Sequence, residues 1–122
     1  MSLEDIGKTV TIEAGESLAS AQYYALKLSS GLAVKATADA VVIGFCQNKP
    51  ASGEATMVAL AAAGGSSKAV LGGTVVKGAL LVSDSSGNLI TRTTENNIVG
   101  YALEAGDATN VIEVLMRPMY VA

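Results

Sequence analysis

The sequence predicts an all-β domain, a small sandwich or barrel of about ten short strands built from two similar halves. One observation behind this prediction is a series of short apolar or alternating runs, separated by turn residues about every eight to twelve positions. Another is a repeat: residues 40–47 read AVVIGFCQ and residues 96–103 read NNIVGYAL, each with a β-branched run, a glycine and then an aromatic residue. In addition, no window keeps helical spacing for longer than two turns.

The repeat extends well beyond these two segments at the constant offset that separates Gly44 from Gly100. The matching positions are Ser29-Ser30-Gly31 with Ser85-Ser86-Gly87, Val34 with Ile90, Thr37 with Thr93, and Asp39 with Glu95. With one residue slipped, Thr56–Leu60 also matches Val111–Leu115. Two copies are too few for a solenoid, so we expect them to close on each other within one domain.

The predicted organisation is an N-terminal arm, two β units and a tail. The boundaries are residues 1–7 for the arm, 8–63 for the first β unit, 68–117 for the second and 118–122 for the tail. The arm has no clean periodicity, and it is interpreted either as a frayed end or as a segment that orders on a partner. Gly64-Gly65-Ser66-Ser67 separates the halves and is short for a domain linker.

In the first half, alternation or turn chemistry identifies each element. Lys8–Glu13 alternates polar and apolar residues as a half-buried strand does, whereas Gly15–Ala21 fits a loop or one helical turn. Gln22–Leu28 and Leu32–Lys35 are the arms of a hairpin joined at Ser29-Ser30-Gly31, where the glycine is free to take positive φ. The remaining strands are the organising strand Ala40–Gln47 and Thr56–Ala63, whose alanine-rich end is ambiguous.

Gly44 and Gly100 interrupt the predicted strands at equivalent positions. A glycine inside a strand usually marks a bulge, a bend or a close backbone approach. We therefore expect the same feature in both halves.

The second half continues as strands to the end of the repeat. The predicted segments are Lys68–Leu71, Thr74–Gly78 leading into Ala79–Val82, Leu89–Thr93, Ile98–Glu104 and Thr109–Arg117. Asp84-Ser85-Ser86-Gly87-Asn88 is predicted to be a hairpin turn. Pro118 is expected to end the last strand, which leaves an apolar tail to dock on a neighbouring chain or on its own core.

Composition points to a subunit of an assembly. Half of the 122 residues are hydrophobic, but only 16% are charged and 4% aromatic, and the mean hydropathy is +0.43. In a chain this small and this apolar, one core should not bury all of the apolar side chains, and some should remain on the surface. Exposed apolar patches usually mark contact sites. Candidate contact residues are Leu3, Ile6, Tyr23, Met119 and Tyr120. Two interpretations of Tyr23, Tyr24 and Tyr120 stay open: half-buried strand positions, which is the default, and an exposed aromatic patch.

The residue types of the chain do not indicate a catalytic or cofactor-binding site. The chain has no histidine, and the single cysteine, Cys46, lies in the organising strand, where a small buried hydrophobe is the simplest interpretation. The glycine-rich stretches lack the spacing of a phosphate-binding loop, and most carboxylates fall at turns or strand edges. We predict no enzyme activity, no cofactor and no metal.

The basic residues are scattered singly, so no nucleic-acid partner is predicted. No apolar run approaches the roughly 18 residues of a membrane span, so no membrane partner is predicted either. The acidic N-terminus lacks the basic start of a signal peptide, and we expect a soluble protein made in a cytoplasm.

The order of short motifs resembles one family, the capsid cement or head decoration proteins of tailed bacteriophages. In the first half the resemblance lies in Ala14-Gly15-Glu16, Gln22, Ala25-Leu26-Lys27, Val42–Asn48 and Ala51–Glu54. In the second half it lies in Gly72-Gly73, Lys77-Gly78, Asp84–Gly87, Ile98–Glu104 and Val111–Leu115, so that residues 8–117 are covered.

This resemblance implies a structural virion protein on the outer capsid surface. The expected partners are the major capsid protein and the chain itself, as a homo-oligomer and most simply a trimer that stabilises contacts between capsid proteins. The alternatives are another virion β module, such as a tail or fibre component, and a module that binds glycans or a host surface.

Overall fold

A computed structural model describes residues 9–122, and within that range the chain forms ten strands in two five-stranded antiparallel sheets. The first sheet contains β1 (Thr9–Glu13), β2 (Ala25–Ser29), β3 (Leu32–Lys35), β4 (Gly44–Cys46) and β5 (Ala55–Leu60). The second contains β6 (Ser66–Val70), β7 (Leu80–Ser83), β8 (Leu89–Thr91), β9 (Asn97–Ala102) and β10 (Val111–Tyr120). Helical structure in this range is limited to a 3-10 turn at Ala61–Ala63. The predicted all-β fold of two similar halves is confirmed.

The two sheets have the same topology. Their strand orders are β1-β5-β4-β2-β3 and β6-β10-β9-β7-β8, so each strand of the first half has a counterpart five strands later. In the first sheet Gly44 pairs with Leu26 and Leu60. In the second sheet Gly100 pairs with Leu81 and Met116. The repeat seen in the sequence is therefore a repeat of strand pairing.

The pairing corrects the predicted one-residue slip before the last strand. Phe45 pairs with Ala59, and its counterpart Tyr101 pairs with Leu115, which keeps the offset of Gly44 and Gly100. Burial follows the same register, because Thr56 and Val58 are buried like their counterparts Ile112 and Val114. The slip was wrong because alternating apolar strands resemble each other at several offsets, whereas pairing to the neighbouring strand allows only one.

Gly44 and Gly100 are required by close backbone packing. A Cβ atom at Gly44 would overlap the carbonyl oxygen of Ala59, and one at Gly100 would overlap that of Leu115. Of the three explanations expected for these glycines, the structure supports a close backbone approach in both halves. A register shift between Met116 and Met119 in β10 lies beside Gly100.

Several strand boundaries differ from the prediction: Thr74–Gly78 forms only an isolated bridge at Val75 followed by a turn, and two other differences have a non-local cause. The organising strand is paired only over Gly44–Cys46, because residues 40–42 cross towards the second half, where the Ala40 N–H donates to Ser83 Oγ at 3.3 Å. At the other end, β10 continues through Pro118 to Tyr120. Proline is tolerated there because the register shift leaves its missing N–H outside the regular ladder.

Buried side chains form two clusters. The shared core joins both halves: Ala25, Ala36, Val42, Phe45 and Ala61 pack with Ala69, Leu71, Val75, Leu81, Leu89, Val99, Ala102, Ile112, Val114 and Met116. The first-half core contains Ala14, Leu18, Ala21, Leu26, Ala33, Cys46 and Val58. Polar contacts also cross between the halves, since the Ala25 N–H donates to Gly87 O at 2.8 Å and Gln47 Nε2 donates to Ser67 Oγ at 3.2 Å.

Candidate interaction surface

An apolar concave surface lies where the end of β10 meets the segment before β4. This feature, termed the Val41 groove, has a volume of about 400 Å³. It is lined by Val41, Val42, Asn97, Ile98, Pro118, Met119 and Tyr120. Val41 and Tyr120 in this groove are 71% and 70% exposed. Exposed apolar surface gathered in one concavity is typical of a contact site.

Asp39 fixes the position of this segment by binding across the two halves. Its carboxylate accepts hydrogen bonds from the backbone N–H groups of Asn97 at 2.8 Å and Asn96 at 3.1 Å. The Asn97 amide also donates to the Asp39 carbonyl at 3.0 Å. The hydrogen bond from the Asn97 N–H is the largest influence that holds the pKa of Asp39 below its ordinary value. Asp39 has a positive φ of 52°, so the chain turns sharply here and presents Val41 to solvent.

The register shift in β10 supplies the opposite wall of the Val41 groove. Met116 pairs with Gly100 and Met119 pairs with Ile98, so an extra residue lies between these two pairs. Such a bulge bends the strand and re-aims the side chains that follow it. The Val121 N–H then donates to Asn96 O at 2.8 Å and the Asn96 amide donates to Val121 O at 2.6 Å, which holds the end of the chain beside the groove.

Of the five predicted contact residues, the structure describes Tyr23, Met119 and Tyr120, and these lie in two separate places. Leu3 and Ile6, together with the N-terminal arm, lie outside the described residues. Met119 and Tyr120 line the Val41 groove. Tyr23 is half-buried, with its ring 5.6 Å from Lys68 Nζ.

Tyr23 and Tyr120 therefore lie at different ends of the second sheet. Lys68 pairs with Glu113 near the start of β10, whereas Tyr120 pairs with Asn97 at its end. The two pairing positions are about 20 Å apart along an extended strand. The structure does not bring the tyrosines together as one patch.

Sequence reasoning assigned Val41 to a buried strand and so missed its role in the groove. A signal was available in Asp39, because aspartate readily takes a turn conformation. The hydrogen bonds of Asp39 to Asn96 and Asn97 join residues far apart in the chain, and local sequence gives no information about such contacts.

A second apolar surface lies on the outer side of the second sheet. Leu80, Tyr101 and Leu115 form one row across β7, β9 and β10. Leu115 is 38% exposed, and Leu80 and Tyr101 are partly exposed. Val111 and Leu103 add exposed apolar area nearby, at 48% and 38%.

The metal-ligating and nucleophilic residue types of the described chain are dispersed or buried. Among residues 9–122, no three His, Cys, Asp or Glu side chains gather as a possible metal site. Cys46 is fully buried; burial raises the pKa of its thiol, and its Sγ donates to Asn48 O at 3.2 Å. Over the same residues, every helix is too short or too polar to cross a membrane.

Glu95 illustrates the ordinary role of a turn carboxylate. It accepts hydrogen bonds from the Thr93 N–H at 2.8 Å and the Thr94 N–H at 3.1 Å. The Thr93 contact is the first cause of its lowered pKa. Asp84 similarly accepts from the Ser86 and Asn88 N–H groups, as expected for a hairpin turn.

Neither protein-family models nor curated protein sequences give a match to this chain. A solved structure with a similar fold is the crystal structure of the N base of the head fiber gp8.5 of bacteriophage phi29. The TM-score is 0.73 at 13% sequence identity, and the match covers 93% of this chain and 97% of that chain. The two chains share one fold over nearly all of this chain and of the solved N base.

Proposed function

We propose that this chain is a structural protein of a phage virion, a capsid decoration (cement) protein that binds the outer surface of the head. The observation that carries the proposal is the end-to-end fold likeness to a phage head fiber base. The chain would stabilise contacts between major capsid proteins as a homo-oligomer, most simply a trimer. Many copies on one shell can turn modest individual contacts into firm retention.

The Val41 groove is the surface that fits this role best. It combines highly exposed apolar side chains with a rigid frame, since Asp39 and Asn97 fix one wall and the paired end of β10 fixes the other. A preorganised apolar site loses little conformational entropy when it binds a neighbouring protein. We therefore assign the contact with the major capsid protein to this groove.

Addition of purified protein to undecorated, expanded heads tests the proposal. We expect saturable co-sedimentation and a higher temperature of head disruption. Val41→Asp should abolish binding because it places a charge in an apolar contact. Val76→Asp is the matched control, because Val76 is 67% exposed but does not line the groove. Failure of the wild-type protein to bind heads would overturn the proposal.

A fibre component is the second candidate, and it is favoured by the description of the similar structure as the base of a head fiber. Such a protein would also bind the head, but it would anchor a longer appendage. Head binding without thermal protection would favour this alternative. A glycan-binding module would instead show saturable glycan binding that is lost in Tyr120→Ala.

A further inference from the structure

The two halves contact each other through different faces. In the first sheet, Ala25, Phe45 and Ala59 form one row across β2, β4 and β5. This row is termed the Phe45 face. Its residues Ala25 and Phe45 are fully buried in the shared core against residues of the second half. The first half therefore inserts this face into the second half.

The counterpart of the Phe45 face in the second half is uncovered. By strand pairing, the counterparts of Ala25, Phe45 and Ala59 are Leu80, Tyr101 and Leu115. This row, termed the Tyr101 face, is the central part of the outer apolar surface described above and excludes Val111 and Leu103; all three of its side chains are partly exposed. The Phe45 face of the first half is thus buried in the core, whereas the equivalent Tyr101 face of the second half is exposed to solvent.

The receiving side shows the opposite asymmetry. In the second half Ala69, Val99 and Met116 are 0%, 2% and 5% exposed, because they belong to the shared core that receives the Phe45 face. Their counterparts in the first half are Ile12, Ile43 and Leu60, which only flank the first-half core and remain half-buried. These three residues are termed the Ile43 face.

Leu28 marks the rim of the Ile43 face. Its counterpart in the second half is Ser83, which is 1% exposed and donates from Oγ to Thr37 O at 2.7 Å across the two halves. Leu28 itself is 51% exposed. In the second half, Ser83 is covered by the loop of the first half that contains Thr37. In the first half, no such loop covers the equivalent Leu28 among the described residues.

We infer that a second copy of this chain places its Tyr101 face on the Ile43 face, in the same head-to-tail sense as the internal contact. This inference deepens the homo-oligomeric part of the proposed function and rests on it. The occupant is assigned from the repeat, because a β unit of this chain covers Ala69, Val99 and Met116, the second-half counterparts of the Ile43 face. The Tyr101 face carries larger side chains than the Phe45 face, with Leu80 in place of Ala25 and Leu115 in place of Ala59. A head-to-tail contact forms a closed ring when its rotation closes.

Three variants with exposed positions test this interface. Leu115→Asp alters the Tyr101 face and Leu28→Asp alters the rim of the Ile43 face. Val111→Asp is the control, because Val111 lies on the same side of β10 but its counterpart Ala55 is exposed, so it lies outside the predicted contact. Far-ultraviolet circular dichroism and urea unfolding establish that each variant folds.

Sedimentation gives the mass of each species, relative to 12.3 kDa for one chain. The wild-type protein and Val111→Asp should form the same closed oligomer. Leu115→Asp and Leu28→Asp should each weaken self-association by about 100-fold or more and sediment as single chains. A mixture of these two variants should form one-to-one pairs, since each retains the face that the other lacks. A head-to-tail interface predicts this complementation together with a wild-type ring that closes at more than two chains.

A monomeric wild-type protein, an unchanged mass in both interface variants, or a mixture that forms no pairs would each overturn the inference. The head-binding assay separates this result from the proposed function. If heads bind a wild-type chain that is monomeric in solution, the proposed decoration function is supported and the proposed interface between copies is contradicted. An oligomer that shows complementation but binds no heads would support the interface and contradict decoration.

Discussion

The carboxylate of Asp39 in the first half accepts a 2.8 Å hydrogen bond from the backbone N–H of Asn97 in the second half. This bond and its neighbours join the loop before β4 to the start of β9, beside the Val41 groove. The two halves are thus connected by a charged hydrogen-bond acceptor as well as by the shared core.

Asp39 should make stability depend on pH. The hydrogen bond from the Asn97 N–H is the main cause that lowers the pKa of Asp39 in the folded state. Asp39 therefore adds to the free energy of unfolding in full above its unfolded-state pKa, and this addition is lost as pH falls through the folded-state pKa. We expect Asp39→Asn to melt below the wild-type protein at neutral pH, with the difference shrinking in acid. Melting curves recorded from pH 7 to pH 2 check this, and a difference that stays constant with pH would contradict it.

Gly44 and Gly100 should not tolerate a side chain. Gly44→Ala and Gly100→Ala each force a Cβ into a backbone carbonyl, so we expect a loss of about 3 kcal/mol in the free energy of unfolding. Gly73→Ala is the control, because its Cβ would meet only Ile90 Cγ2 at 3.8 Å. Urea unfolding measures all three, and wild-type stability in either strand variant would contradict the close approach.

Thr109 and Gly53 hold equivalent positions with positive φ, 73° and 85°. Their N–H groups make matching 2.8 Å hydrogen bonds, to Leu71 O and Ala14 O respectively. A β-branched residue is strained in this region, whereas glycine is not. Thr109→Gly should therefore stabilise the protein, by roughly 0.5–1 kcal/mol after the entropic cost of glycine.

The opposite substitution at the equivalent position, Gly53→Thr, measures the cost of a positive φ for a β-branched residue. Gly53→Thr should destabilise by roughly 1 kcal/mol, since no atom lies within 4 Å of the added Cβ and only the positive φ opposes it. Opposite changes in the urea midpoint of the two variants would confirm that the halves share this turn. Changes of the same sign would contradict the equivalence.

Cys46 should be inert in the folded protein. It is fully buried, and burial raises the pKa of its thiol, so both access and thiolate formation are suppressed. We expect an aromatic disulfide reagent to react at least about 1,000-fold more slowly with the native than with the urea-unfolded protein. Rapid stoichiometric labelling of the native protein would show that this strand is accessible.

The sequence predicted the fold because its main determinants are local or repeated. Strand alternation and turn residues predicted about ten strands, and the equivalent glycines Gly44 and Gly100 predicted a shared backbone feature. Two boundaries were wrong for non-local reasons: residues 40–42 leave the sheet to reach Ser83, and a register shift lets Pro118 remain in β10. Periodicity cannot report either contact, because both depend on residues distant in the chain.

The candidate surfaces were less predictable than the fold. Met119 and Tyr120 were recognised as an apolar end, but Val41, their neighbour in the groove, was assigned to a buried strand. The Tyr101 face is a similar case, since Tyr101 and Phe45 are equivalent in sequence and differ only in whether another β unit covers them. Exposure of this kind follows from how the halves pack, which the pattern of each half does not contain.

The most direct test of the central proposal is a cryo-electron microscopy reconstruction of expanded heads saturated with the purified chain. The proposal predicts repeated density for the chain on the outer surface, with Val41 and Tyr120 facing the major capsid protein. A shell without added density, or a chain bound at the tail instead of the head surface, would contradict it.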